Sequence, residues 1–169
     1  YVPKLFDSQA VIDHLEYMQS LIMTKSWWDT VDCLASKHVG WIVNMDKQGK
    51  EMMDDWIESD NMWIRRSALI HSLSYKKEVD LDQLFTYCQK TMNEKEFFIR
   101  KAIGWALRQH SKLFAQEVAT FIEKNKTSLS TLSIREGSKY LPTKVGSKRQ
   151  RTTTTTTKEA ATSRQKITH

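Results

Sequence analysis

The stretch that decides the fold is FFIRKAIGW, Phe97 to Trp105, because it has two echoes upstream. MWIRRSALI runs from Met62 to Ile70, and WWDTVDCLA from Trp27 to Ala35. Trp28, Trp63 and Phe98 therefore stand at two successive intervals of 35 residues. Each stretch opens a helical pattern with an aromatic pair or near-pair, after a shorter helical segment and a polar turn. A period of about 35 residues built from helix pairs is the pattern of an α-solenoid of HEAT-like repeats. Such a repeat buries one helix face against its neighbours and lines a concave surface with another.

Working outward, residues 8–143 read as helices in series. In DSQAVIDHLEYMQSLIM, Val11, Ile12, Leu15, Met18 and Ile22 form a helical stripe. SWWD has the form of a capping box, with Ser26 as N-cap and Asp29 three residues on. The helix it opens is expected to run to about Val43. Further helices fit 49–58, 61–74, 81–92, 96–110, 113–124 and 131–140, with Asp60 as an N-cap before NMWIRR. Alternation of the β type is absent. The fold class expected is therefore all-α.

The register of the repeats carries the functional reading. Shifted back by one repeat, Arg66 falls on position 31; shifted back by two, Trp105 falls on position 35 and Lys101 on 31. At about 100° per residue, positions 28, 31, 32 and 35 span an arc of roughly 100°. Trp28, Asp32, Arg66, Lys101 and Trp105 are thus expected on one side of three successive helices. A surface of two indoles, a carboxylate and cations is not what an apolar core selects; the alternative is a core edge rimmed by ion pairs. Asp29 is assigned to helix capping rather than chemistry. Trp27 points about 100° from Trp28 and is assigned to the core. Arg65 and Arg100 share a register with each other, and read either as phosphate contacts or as solvated ion pairs.

The 169 residues make one domain with room for a core. Charge is uneven. Residues 144–169 hold seven of the 26 basic residues and one of the 20 acidic ones, leaving 1–143 with 19 of each. The terminal segment, with six threonines from Thr152 to Thr157, lacks the apolar residues to offset its ordering entropy and is expected to be a disordered basic tail. Its cluster KRQR, Lys148–Arg151, reads as a nuclear-import signal, a phosphate contact or a solubilising tail. Cys33 and Cys88 lack CxxC partners, and the histidines lack zinc spacing, so no metal is expected. No apolar run approaches 18 residues. An intracellular monomer follows as the expectation, nuclear if the tail is an import signal and otherwise cytoplasmic.

The residues now in hand carry a resemblance. KSWWDTVD (Lys25–Asp32), SDNMWIRRSAL (Ser59–Leu69), EFFIRKAIGWALRQHSK (Glu96–Lys112) and LSIREGSKYL (Leu132–Leu141) resemble the AlkD-type DNA glycosylases of the DNA-alkylation-repair family. That resemblance implies a helical stack cradling double-stranded DNA in a concave basic groove. It implies removal of cationic alkylated purines, such as 3-methyladenine and 7-methylguanine, without a cofactor. By residue it implies catalytic roles for Asp32, Trp28 and Trp105, with the indoles packing on the sugar–phosphate backbone and Arg66 holding phosphate. It further implies that the lesion need not be flipped into a pocket. Family members carry several more helices before the equivalent of Val2, so residues 1–143 are expected to be an N-terminally incomplete domain.

The chemistry of the residues is consistent with that implication. A purine alkylated at N7 or N3 is already a cationic leaving group. Breaking its glycosidic bond develops oxocarbenium character on the sugar, which a fixed carboxylate and a positioned water would serve. Indole faces favour a cationic sugar. The alternatives are a DNA-binding relative without excision activity and a HEAT-type scaffold meeting an acidic protein partner.

Overall fold

The computed structural model describes residues 7–24 and 26–142. The threonine-rich stretch, the Lys148–Arg151 cluster and the boundary expected at residue 143 lie outside the described residues. Within them the chain is helical throughout, without a strand, and forms an α-solenoid. No helix among the described residues is long and apolar enough to cross a membrane.

Helix α1 (Ser8–Thr24) begins where Asp7 Oδ1 accepts the Ala10 amide at 2.7 Å, and buries Val11, Leu15 and Ile22. A continuous helical run follows over residues 28–43: α2 (Trp28–Cys33), a π-helical segment (Leu34–Val39) and α3 (Gly40–Val43). The wide turn was not legible in the sequence. It brings Gly40 so close to the next layer that a Cβ there would stand 2.2 Å from the His71 carbonyl oxygen. The Tyr75 hydroxyl donates to the Gly40 carbonyl at 2.6 Å and closes that contact.

Helices α4 (Lys47–Trp56), α5 (Met62–Ile70), α6 (Leu81–Thr91), α7 (Phe97–His110), α8 (Ala115–Lys124) and α9 (Thr131–Gly137) complete the array. Side-chain caps start four of them: Asp46 for α4, Asn61 for α5, Asp80 for α6 and Ser130 for α9. Two expected caps are corrected. Asn61, not Asp60, caps α5, accepting the Trp63 amide at 2.9 Å. Ser26 does not cap α2. Its hydroxyl donates to the Ile22 carbonyl at 2.6 Å, satisfying an orphan acceptor at the end of α1, and Trp27 occupies the cap position without a side-chain bond. Asp29 accepts the adjacent Thr30 amide at 2.6 Å and completes no capping box.

Consecutive layers share one hydrophobic core. Ile64, Ala68 and Leu69 of α5 face Ile99, Ile103 and Ala106 of α7, all essentially inaccessible to solvent. Behind α7, α9 approaches closely: a Cβ at Gly104 would meet Ser133 Cα at 3.3 Å, and Ser133 Oγ donates to the Arg100 carbonyl at 2.9 Å. Burying the large aliphatic side chains of these faces contributes about 1.5–3 kcal/mol each. That packing fixes α2, α5 and α7 side by side, with the same flank of each directed outward.

Candidate active site

On that flank α2, α5 and α7 enclose a cleft of about 510 Å³. Its lining includes Trp28 and Asp32 from α2, Arg66 from α5, and Lys101 and Trp105 from α7. The 35-residue register therefore brings together the residues it was expected to. Asp32 is the carboxylate of the set, and its side chain retains 12% of its accessible surface.

The centre is an ion pair. Arg66 Nε donates to Asp32 Oδ1 and Nη2 to Oδ2, each at 2.7 Å. This two-pronged geometry fixes the plane of the carboxylate, whose residue lines the cleft. Arg66 Nη1 donates to the Phe98 carbonyl, and its guanidinium carbon lies 5.7 Å from the centre of the Phe98 ring. Phe98 in turn packs on Trp63, with ring centres 4.9 Å apart. Arg66 is 3% exposed. The guanidinium thus donates to Asp32 and to the Phe98 carbonyl; the resemblance implied a phosphate contact for this residue.

Aromatic rings wall the cleft. Trp28 is 45% exposed, and Trp27 and Phe97, 57% and 59% exposed, stand beside it in the lining. The core placement expected for Trp27 is thus corrected. The residue precedes the first turn of α2 with extended angles, φ −141° and ψ 144°, so the 100° helical offset does not apply to it. Phe97 occupies the register of Trp27 two repeats on and was missed, although the repeat itself pointed to it. Neither α2 nor α7 has a side-chain bond from its N-cap residue, although Asp29 Oδ1 accepts the Thr30 amide in the first turn of α2.

The cations on α7 are held from behind. Glu136 of α9 accepts Lys101 Nζ at 3.2 Å and Arg108 Nη1 at 2.7 Å. The Lys101 bond, then the charges of Lys101 and Arg108, draw its carboxyl below the ordinary range against the opposing effect of burial. Trp105 thus lies between two tethered cations, one turn away on each side. Arg108 and Glu136 were both missed. Glu136 stands one further interval of 35 residues after Lys101, a register position obscured because its stretch has no aromatic lead.

Arg65 and Arg100, which the sequence left between two readings, sit away from the cleft. Arg65 makes a bidentate pair with Glu94, with Nη2 to Oε2 at 2.7 Å, and donates to the Ser59 and Asp60 carbonyls. Arg100 Nε donates to the Glu94 carbonyl at 2.9 Å. Both arginines therefore tie the turns between helices together. Cys33 is exposed and Cys88 buried, and burial pushes the Cys88 thiol up to about 12. No group of metal-ligating side chains occurs among the described residues.

Two comparisons bear on this architecture. A solved structure described as a predicted DNA alkylation repair enzyme from Enterococcus faecalis shares 35% identity and superposes with a TM-score of 0.70. The match covers 80% of this chain and 61% of that one, so the present chain spans less than two thirds of the relative's length. No curated protein matches. The model of the DNA alkylation repair enzyme family matches residues 3–141, which hold every helix described above and the whole of the Asp32 cleft. With that extent of match, the chain belongs to the DNA alkylation repair enzyme family.

Proposed function

We propose that the cleft is the active site of a DNA glycosylase that hydrolyses the N-glycosidic bond of cationic alkylated purines, 3-methyladenine and 7-methylguanine, in duplex DNA. The observation that carries this reading is the oriented Asp32 carboxylate on the floor of an aromatic-walled cleft. An alkylated purine departs with the bonding electron pair as a neutral base. The positive charge passes to the sugar as an oxocarbenium ion. Water then adds at the anomeric carbon and loses a proton.

Asp32 has two tasks in this scheme. Its negative charge stabilises the developing cation, where a unit charge at about 4 Å is worth about 4 kcal/mol at an effective dielectric of about 20. The same carboxylate accepts a hydrogen bond from the attacking water and directs its lone pair at the sugar. Arg66 is a positioning residue: it holds the carboxylate plane at the cost of offsetting part of its charge. Trp28 and Trp105 present indole faces to the sugar and displace water from it. Lys101 and Arg108, which line the cleft, meet phosphates in this scheme. The leaving base is already activated by its charge, so the scheme requires no general acid.

The test is release of free base from methylated duplex DNA, read by mass spectrometry, for the native chain and for Asp32→Asn. Loss of roughly 100-fold or more in rate with folding retained is the expected result, on the scale of removing one electrostatic stabiliser. Release unaffected by the substitution refutes the role of Asp32. No release from the native chain, with DNA binding intact, turns the reading to a non-catalytic DNA-binding member of the family.

A further inference from the structure

Trp105 stands on α7 between Lys101, one turn before it, and Arg108, one turn after. The two cations are separated by about 10 Å along the helix axis. Left alone, two long cationic side chains repel one another and sample many rotamers. Here a single carboxylate spans them. Glu136 Oε1 pairs with Lys101 at 3.2 Å, and Oε2 with Arg108 at 2.7 Å.

The backbone is shaped so that Glu136 can reach both. Gly104 lies directly against it: a Cβ there would come within 2.7 Å of Glu136 Cβ. On α9 the neighbouring Gly137 fits against α7 in the same way, where a Cβ would meet Leu107 Cβ at 3.1 Å. Ser133 Oγ adds its hydrogen bond to the Arg100 carbonyl. These contacts already fix α9 on α7, and partly exposed ion pairs add little to stability. Docking of the helix therefore does not account for a carboxylate beside a basic cleft, where it repels phosphate.

The pairing leaves donors to spare. A lysine ammonium carries three N–H groups and an arginine guanidinium five, and Glu136 engages one on each. Lys101 and Arg108 line the Asp32 cleft and Glu136 does not. Its side chain keeps 17% of its accessible surface, against 39% for Lys101 and 25% for Arg108. The carboxylate works from behind: it fixes both cations, leaves their other donors to the cleft, and offsets one of their two charges.

We propose that Glu136 is a positioning and specificity residue of the site: it sets Lys101 and Arg108 on either side of Trp105 and trims their charge, so that DNA is placed for reaction rather than only held tightly. The inference rests on the reading that DNA occupies the Asp32 cleft. Attraction shared by damaged and undamaged duplex does not speed base release, and a surplus of it keeps the protein on undamaged DNA. Fixed placement of the backbone against Trp105 and Asp32 does speed it.

The experiment uses the full chain with Glu136→Gln and Glu136→Asp. Glutamine keeps the length and removes the charge. Aspartate keeps the charge but is shorter by one carbon–carbon bond, about 1.5 Å, and cannot span both cations. Affinity for a short undamaged duplex is titrated at several salt concentrations, and base release from methylated duplex is followed at saturating enzyme. Glu136→Gln should bind undamaged duplex about three- to tenfold more tightly at about 0.1 M salt, with a salt slope steeper by about 1, because one more positive charge is free to displace a counterion. Glu136→Asp should stay within about twofold of the native affinity. Both should slow the saturated rate by about tenfold or more. Tighter binding with slower reaction is a split that a loosened fold does not give, since loss of structure weakens both. Unchanged or weaker binding by Glu136→Gln overturns the inference, and so does a native rate in both variants. If the native chain binds duplex and releases no base, the glycosylase reading fails and the affinities judge Glu136 by themselves: tighter for glutamine with aspartate unchanged sustains its role in trimming charge, and any other pattern overturns it.

Discussion

Removing Arg66 and Asp32 together should cost less stability than the sum of the two single removals. In Arg66→Met the carboxylate loses two charge-assisted bonds of 2.7 Å while staying mostly enclosed, and the Phe98 carbonyl loses its donor. Breaking a buried pair from one side costs about 3–5 kcal/mol, most of it the penalty of an uncompensated charge. Asp32→Asn keeps one acceptor for the guanidinium but turns an amide N–H toward another donor, with a cost of about 2–4 kcal/mol. The double variant strands no charge, so it should lie about 2–3 kcal/mol below the sum of the singles. Urea unfolding of the four proteins at pH 7 measures this directly. Additivity within about 0.5 kcal/mol would refute the reasoning, because residues so tightly bonded cannot act independently. The same numbers set a condition on the activity test: Asp32→Asn must be assayed where circular dichroism shows it folded.

Two further outcomes follow from the packing. Burial lowers both His71 and His110 to about 4 from 6.5, so between those values the unfolded chain binds protons that the folded chain refuses. Their contribution is therefore complete above pH 6.5 and is lost as pH falls toward 4, up to about 3 kcal/mol for each; imidazole NMR signals that titrate near pH 6.5 in the folded protein would contradict this. Gly40→Ala should destabilise by about 1–3 kcal/mol, although alanine favours helices, because its Cβ would strike the His71 carbonyl; a melting temperature within a degree of the native value would show that the close approach is absent.

Much of the site was legible because a helical repeat translates sequence interval into spatial alignment. Trp28, Asp32, Arg66, Lys101 and Trp105 converge as their common register implied. Angular reasoning failed at Trp27, one residue outside the helix it was measured on. The partner of each charge was not legible either. Register places Arg66 beside Asp32 but does not say whether its guanidinium turns inward to the carboxylate or outward to solvent, and the Phe98 carbonyl helps decide that. Serine at position 26 was ambiguous in kind, since a hydroxyl can close the preceding helix as well as open the next one. The histidines looked scattered in sequence, yet His110 Nε2 lies 3.5 Å from Ser72 Oγ beside His71, because α7 ends where the segment after α5 passes.

The π segment at Leu34–Val39 makes residue count a quantity on which the alignment of Gly40 with Asp32 depends. A helix that lost one residue there would rotate everything after it by about 100° relative to Asp32. Gly40 would swing off the His71 carbonyl, and a side chain would be driven into its place. The exposed positions of this segment can change with little consequence as long as the buried Ala35 and Val39 and the residue count are kept, whereas a one-codon deletion would put Gly40 out of phase with the Asp32 cleft.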